Sequence, residues 1–271
     1  MDNFIFFGTG GLLSSTCLDK IVQNKFIPKA VFIQKQEGSL YPNLTKIVCD
    51  NNAINYHFIE DVNSETSLNL IKSYNPEFGI IASYGQIFKA PLIGCFPIYN
   101  VHMGVLPYFR GAYTNLWKIL NNDDIYGVTV HEIDERIDAG RGVLILERDF
   151  STITLANDFF RANYDMAGEA LIQVLTLLND KSIQYFEIDN TKGKYYRKHT
   201  ASDMALDINE NIEDLHKKIN RLQFYGFPTI EDKRIIQSII LYKGNISNEI
   251  TELIFINSST SILKNKTGIL Q

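Results

Sequence analysis

The sequence predicts an α/β fold: a doubly wound parallel sheet followed by a small C-terminal appendage of one helix and a β-hairpin. Three observations predict it. Short apolar runs alternate with longer amphipathic stretches through most of the chain. The first run, Phe4-Ile5-Phe6-Phe7, is broken by Gly8-Thr9-Gly10-Gly11, a strand-to-helix turn. A later run, Phe78-Gly79-Ile80-Ile81-Ala82, is apolar throughout, as strands buried on both faces are.

The elements follow in order. After the glycine turn, helical spacing runs from Ser14 to Asn24. Ala30-Val31-Phe32-Ile33 reads as a second strand, Thr45 to Asn52 as a helix and Tyr56 to Ile59 as a brief strand. Ser64 to Tyr74 is helical, and the central strand at Phe78 comes next. Cys95 to His102 is strand-like; side chains alternate faces along a strand, so Asn100 and His102 point the same way. A Gly-Pro-rich turn, Met103 to Gly111, leads to a helix-like stretch, Tyr113 to Leu120, and a β-rich run, Gly127 to Ile133. Asp138 sits in the loop after that run. Val143 to Leu146 is a further strand and Asn157 to Leu178 a long amphipathic helix. The appendage then holds a helix, Ile212 to Leu222, a turn at Phe224 to Pro228, and a hairpin of Arg234–Tyr242 with Glu252–Ile256. The polar stretch Ser258 to Gln271 is expected to be loosely held. Residues 1–207 form the expected main domain and 208–271 the appendage.

Composition excludes several classes. Hydrophobic content is 45% and charged content 21%, ordinary for a globular chain. No apolar run approaches the roughly 20 residues that span a bilayer. The N-terminus lacks the basic region and cleavage site of a signal peptide. Cys17, Cys49 and Cys95 are unpatterned, which fits reduced thiols in the cytoplasm and gives no zinc spacing, so no metal is expected. A net charge of −5 argues against a nucleic-acid partner.

Gly8-x-Gly10 invites a dinucleotide reading, and both diagnostic features fail. The third glycine would fall at Leu13, and the second strand ends in Gln34-Lys35 with no acid for a ribose. Two readings of Gly8 and Thr9 remain: a tight turn alone, or a helix N-terminus set near substrate phosphates. Asn100, His102 and Asp138 are the chemically informative set. They lie at the ends of neighbouring strands, where open α/β sheets bind ligands. His57, His131 and His216 have no motif around them and read as structural or solvated. Lys217, Lys218 and Arg221 read as a solvated helix face.

Four motifs in fixed order carry a resemblance. Asn100-x-His102, Leu106-Pro107-x-x-Arg110-Gly111, Gly127-Val128-Thr129-Val130 and Asp134-Glu135-x-Ile137-Asp138-x-Gly140 resemble the formyltransferases that use N10-formyltetrahydrofolate. The match runs over residues 1–207 and is densest at 84–142. It implies a Rossmann-like core and an amine attacking a formyl carbon. The tetrahedral oxyanion that develops needs fixed donors, and protonated His102 and the Asn100 amide are the natural ones. The attacking amine must also lose a proton; Asp138 orients and charges His102, takes that proton through water, or does both.

By the same resemblance, Tyr84, Gly85, Ile87, Phe88, Asp134 and Ile137 form the pterin pocket, with pure packing an alternative for Ile87 and Phe88. Gly8, Thr9, Met103, Gly104, Arg110 and Tyr225 are assigned to the acceptor. Arg110 either holds its loop or reaches a phosphate. Tyr195, Tyr196, Phe224 and Tyr225 are candidates to stack on a base.

The acceptor expected is a dTDP-linked amino-dideoxyhexose, with a lean to a 3-amino-3,6-dideoxyhexose, in surface-glycan (lipopolysaccharide O-antigen) biosynthesis. The alternatives are methionyl-tRNA formyltransferase and a non-catalytic folate- or nucleotide-binding module. Only 64 residues (271 − 207) follow Asp207, fewer than the C-terminal β-domain of the tRNA enzymes, which favours the sugar reading. The apolar stretch Arg234–Tyr242 needs cover, either from the main domain or from a second copy, and resemblance to the sugar enzymes implies the second, a homodimer.

Overall fold

A computed structural model describes residues 3–35, 42–226 and 228–230, and the strands at 233–234, 241–243, 252–255, 261–265 and 268–270. The chain divides into two compact units. The first comprises Met1–Gly111, Gly127–Arg148 and Ala162–Tyr195; the second comprises Ala112–Tyr126, Asp149–Arg161 and Tyr196–Gln271.

In chain order the elements begin β1 Phe4–Gly8, α1 Leu12–Gln23, β2 Ala30–Gln34, α2 Leu44–Asn51, β3 Tyr56–Ile59, α3 Glu65–Ser73, β4 Phe78–Ala82 and α4 Ala90–Ile93. They continue β5 Ile98–His102, β6 Phe109–Gly111, α5 Thr114–Leu120, β7 Ile125–Glu132, β8 Gly142–Asp149, α6 Ala156–Asn179 and β9 Lys194–Tyr196. The rest are α7 Ile212–Leu222, β10 Thr229–Ile230, β11 Lys233–Arg234, β12 Leu241–Lys243, β13 Glu252–Phe255, β14 Ser261–Asn265 and β15 Gly268–Leu270.

The first unit is built on a sheet in the order β3-β2-β1-β4-β5-β7-β8. Strands β1 to β5 pair in parallel, as expected. β7 runs antiparallel to β5, so the sheet is mixed where the sequence suggested parallel pairing throughout. The chain moves outward from β1 to β3, then returns to β4 and moves out on the other side. Right-handed crossovers then put the helices of the two halves on opposite faces and leave a crevice at the carboxyl ends of the strands.

The strands form because their apolar residues can all be buried. Every residue of β1 and β4 is buried, and each full burial of an Ile or Phe side chain contributes roughly 1.5–3 kcal/mol. Ile5, Phe7, Phe32, Ile71, Ile81, Phe88 and Ile98 belong to one core cluster. The helices start where side chains cap them. Asn43 accepts from the Lys46 N–H ahead of α2, and Ser64 from the Ser67 N–H ahead of α3, each worth about 1 kcal/mol.

The second unit corrects three readings. Lys218 and Arg221 are buried, not a solvated face. Arg221 donates to Asp124 Oδ1 at 2.7 Å and to the carbonyls of Phe150 and Ile153, while Lys217 meets Asp124 Oδ2 at 2.8 Å. A buried cation survives only when paired in this way. The C-terminal strands also pair differently from the expected hairpin. β12 pairs with β15, and β13 with β14, in a four-stranded sheet of order β12-β15-β14-β13. The final stretch, expected to be loose, therefore supplies two strands. Of the apolar stretch Arg234–Tyr242, residues 235–240 lie outside the described residues. Among the described residues, no helix is long and apolar enough to cross a membrane.

Candidate active site

β5 and β7 set the site. Their register pairs Asn100 with His131 and His102 with Thr129. Directly opposed residues share a face, so these four side chains lie together. Thr129, fully buried, donates to the Gly104 carbonyl at 2.8 Å and accepts from the Leu106 N–H at 3.0 Å. It thereby pins the turn that follows His102. Gly104 has no room for a side chain: a Cβ there would lie 2.7 Å from the Phe109 carbonyl and 3.0 Å from His102 Nε2.

His102 is 7% exposed and has an acceptor on each side. Nε2 donates to the Phe109 carbonyl, and Nδ1 lies 3.5 Å from Asp138 Oδ1. Asp138 arrives on the loop after β7, with φ +51° in the left-handed region that Asp tolerates. Its Oδ2 accepts from the Gly111 N–H at 2.8 Å. Gly111 itself has φ +96°. Gly140 explains how the loop returns: a Cβ there would sit 1.8 Å from the Glu132 carbonyl. The sequence-predicted Asn100, His102 and Asp138 are therefore brought together in the first unit.

His131 joins them, which the sequence reading missed. Its Nε2 lies 3.2 Å from Asn100 Nδ2 and 3.7 Å from Asp138 Oδ1. Burial, and then the charge of His102, push its pKa from 6.5 down to about 4. No local motif marks His131. The available signal was parity: two residues on from Thr129, it shares that residue's face, and only the register with β5 shows which face that is.

A cleft of about 180 Å³ opens beside this cluster. Its walls include Tyr84, Gly85, Ile87 and Phe88 on one side and Asp134 and Ile137 on the other, with Asn100, His131 and Asp138 also lining it. The first wall is tied down from below. Gln34 accepts from the Gly85 N–H at 2.6 Å, the Gln86 side chain accepts from the Val62 N–H and donates to the Glu60 carbonyl, and Asn63 donates to the Ile87 carbonyl. Gln34, placed where a dinucleotide site would carry an acid, instead anchors this loop. Burial and nearby Asp61 push the Tyr84 hydroxyl up.

Thr9 spends its groups internally: its N–H donates to Ser14 Oγ and its carbonyl accepts from Thr45. Met103 and Gly104 lie in the turn after β5. Arg110 donates from Nη2 to the Ile137 carbonyl at 3.2 Å, so it spans from β6 to the Asp138 loop. Tyr225 belongs to the second unit, in an aromatic cluster with Tyr113, His199, Phe160 and Phe224. His57 contacts Tyr74 Oη at 2.6 Å, in keeping with a structural role. Among the described residues, no group of three or more His, Cys, Asp or Glu is arranged to hold a metal ion.

Residues 16–171, more than half of the chain, match the family model described as formyl transferase. The chain belongs to the formyl transferase family. Its sequence relatives include methionyl-tRNA formyltransferase of Campylobacter lari, 27% identical over all of this chain and 90% of that one. That of Fervidobacterium nodosum is 29% identical over 79% of this chain and 69% of its own. In fold, this formyltransferase is similar to WlaRD, a sugar 3N-formyl transferase solved with dTDP and 5-N-formyl-THF. The TM-score is 0.72 at 20% identity, over 100% of this chain and 97% of that one. An N-formyltransferase from Helicobacter canadensis, in complex with folinic acid and dTDP-3-aminofucose, gives 0.70 at 20% identity, over 100% and 98%.

Proposed function

We propose that this formyltransferase moves a formyl group from N10-formyltetrahydrofolate to the amine of a nucleotide-linked amino sugar. The observation that carries the chemistry is the convergence of Asn100, His102 and Asp138 beside a mostly apolar cleft. A cleft walled by Ile81, Phe88, Ile133 and Ile137, with polar groups at one side, fits a flat heterocycle. The bound folate supplies an activated formyl carbon, so the chain has only to position the amine and stabilise charge.

Asn100 Nδ2 and His102 Nε2 donate to the formyl oxygen as the amine nitrogen bonds to the formyl carbon and negative charge develops there. For His102 to do so, its Nε2–H must leave the Phe109 carbonyl. Asp138 holds the other side of the ring and stabilises its positive charge. The proton lost by the amine passes to Asp138 through water, and the bond to the folate nitrogen breaks as that nitrogen is protonated.

A net charge of −5 is poorly suited to a polyanion. The two sugar enzymes similar in fold are matched over 97% and 98% of their own length, against 90% for the Campylobacter lari methionyl-tRNA enzyme. We assign the acceptor to the dTDP-linked 3-amino-3,6-dideoxyhexose class, consumed in surface-glycan synthesis in the cytoplasm. Gly8, Thr9, Met103, Gly104, Arg110 and Tyr225 are its proposed contacts, and Tyr84, Gly85, Ile87, Phe88, Asp134 and Ile137 those of the pterin. The division at 207/208 and a homodimer formed by the appendage belong to the same reading.

A second reading, methionyl-tRNA formyltransferase, is favoured by the names of the sequence relatives. One experiment separates them: turnover with the folate donor on a panel of dTDP-3-amino and dTDP-4-amino sugars, beside initiator Met-tRNA. Turnover of a sugar nucleotide with no tRNA formylation upholds the first reading. Formylated tRNA, with binding that persists at physiological salt, replaces it by the second.

A further inference from the structure

A carboxamide has two ends of nearly the same shape, and only one of them donates. Asn100 serves a developing oxyanion only if its NH₂ faces the reacting oxygen, so its orientation must be chosen by a neighbour. His131 Nδ1 lies 3.1 Å from the Glu132 carbonyl. A carbonyl only accepts, so Nδ1 carries the ring hydrogen. In the neutral ring Nε2 is then a bare lone pair, 3.2 Å from Asn100 Nδ2. The NH₂ group gives it one hydrogen and keeps the second for another oxygen. With the carboxamide turned over, two lone pairs would face each other in a buried place.

Two further features hold this choice. Protonating Nε2 would reverse it; Asp138 Oδ1, 3.7 Å from Nε2, favours that form, but burial and then the neighbouring charge of His102 outweigh it and disfavour that form at neutral pH. The anchor is also fixed from behind, because the backbone of Gly140 presses on the Glu132 carbonyl, leaving no space for a Cβ.

We propose that His131 is a positioning residue for formyl transfer: as the Nδ1–H tautomer, held on the Glu132 carbonyl, it turns the Asn100 NH₂ toward the reacting oxygen. This rests on the reading of Asn100 as an oxyanion donor, and the tests below fail separately from it.

The first test needs no substrate. Nitrogen-15 NMR of the full chain with labelled histidine, its His131 signal assigned by its loss in His131→Gln, should show Nδ1 protonated and Nε2 bare at pH 7. An Nε2–H tautomer or a doubly protonated ring overturns the proposal. The second test is kinetic, with N10-formyltetrahydrofolate and the best amino-sugar nucleotide. His131→Leu, which removes the acceptor, should lower kcat by about tenfold or more with the donor KM within about twofold. His131→Gln, whose side-chain carbonyl can accept from Asn100, should recover most of the loss. In an Asn100→Ala background His131→Leu should cost less than about twofold, because its route of action is gone. Equal losses in both backgrounds overturn the proposal. If His131→Leu does not fold, the NMR result decides. If no sugar nucleotide turns over, the acceptor assignment falls while the tautomer result still decides the role of His131.

Discussion

Asp138 owes its place to its own backbone. Its φ of +51° is one that Asn also tolerates, so Asp138→Asn removes the charge with little strain. Steady-state kinetics should show kcat reduced by about 10²-fold or more with the donor KM nearly unchanged, since only charge stabilisation and proton transfer are lost. Activity within tenfold of wild type would remove Asp138 from the reaction. His102→Asn should also cut turnover by roughly 10²-fold or more with donor binding nearly unchanged; a variant keeping a tenth of the rate would sink the assignment. His102 and Asp138 were legible in the sequence as neighbours, because a strand alternation and a following Asp-x-Gly loop mark them locally, and their part in the reaction is what these two variants test. His131 was not. Its role depends on which residue of β5 it faces, and pairing register is a long-range property that no local pattern encodes. Arg221 was misjudged for the same reason: its partner Asp124 is 97 residues away in sequence.

At the scale of elements, the loop from Asp134 to Gly140 depends on one missing atom. Gly140→Ala would drive a methyl group into the Glu132 carbonyl. Neither atom is the end of a flexible side chain, so the loop must shift. We expect a loss of about 2 kcal/mol or more in denaturant unfolding and a fall in kcat larger than that of an exposed-turn substitution away from the cleft such as Thr152→Ala. An alanine variant with wild-type stability and rate would show that the loop does not depend on this contact. The strands of the seven-stranded sheet were readable because each carries a short apolar run, whereas β6 falls in the stretch read as a turn. The C-terminal strands were readable as strands, yet their partners were not. Leu241–Lys243 pairs with Gly268–Leu270, in a stretch whose polar composition suggested no strand.

At the scale of the whole molecule, the neutral His131 couples folding to pH. In the folded chain its pKa is about 4 and its ordinary value is 6.5, so between these values the unfolded chain binds more protons. Stability therefore rises with pH across that window and is lost as pH falls from about 6.5 toward 4. Urea unfolding from pH 4 to 7 should show this slope, and His131→Gln should flatten it; an unchanged slope would assign it to other groups. Sedimentation tests the proposed homodimer: about twice the 30.9 kDa chain mass is expected at micromolar concentration, and a monomer at every concentration would rule it out. The strand order adds a consequence in time. From β4 onward the sheet adds β5, β7 and β8 in turn on one edge, and chains are synthesised N-terminus first. Each strand therefore emerges to find its docking edge already made, and Asn100 and His102 emerge after the wall at Tyr84–Phe88. A nascent chain stopped just past Gly140 would already hold every reacting group, yet β7 would be a bare edge open to pairing with other chains. For this protein, the hazard on the ribosome comes after the chemistry is encoded and before β8 covers it.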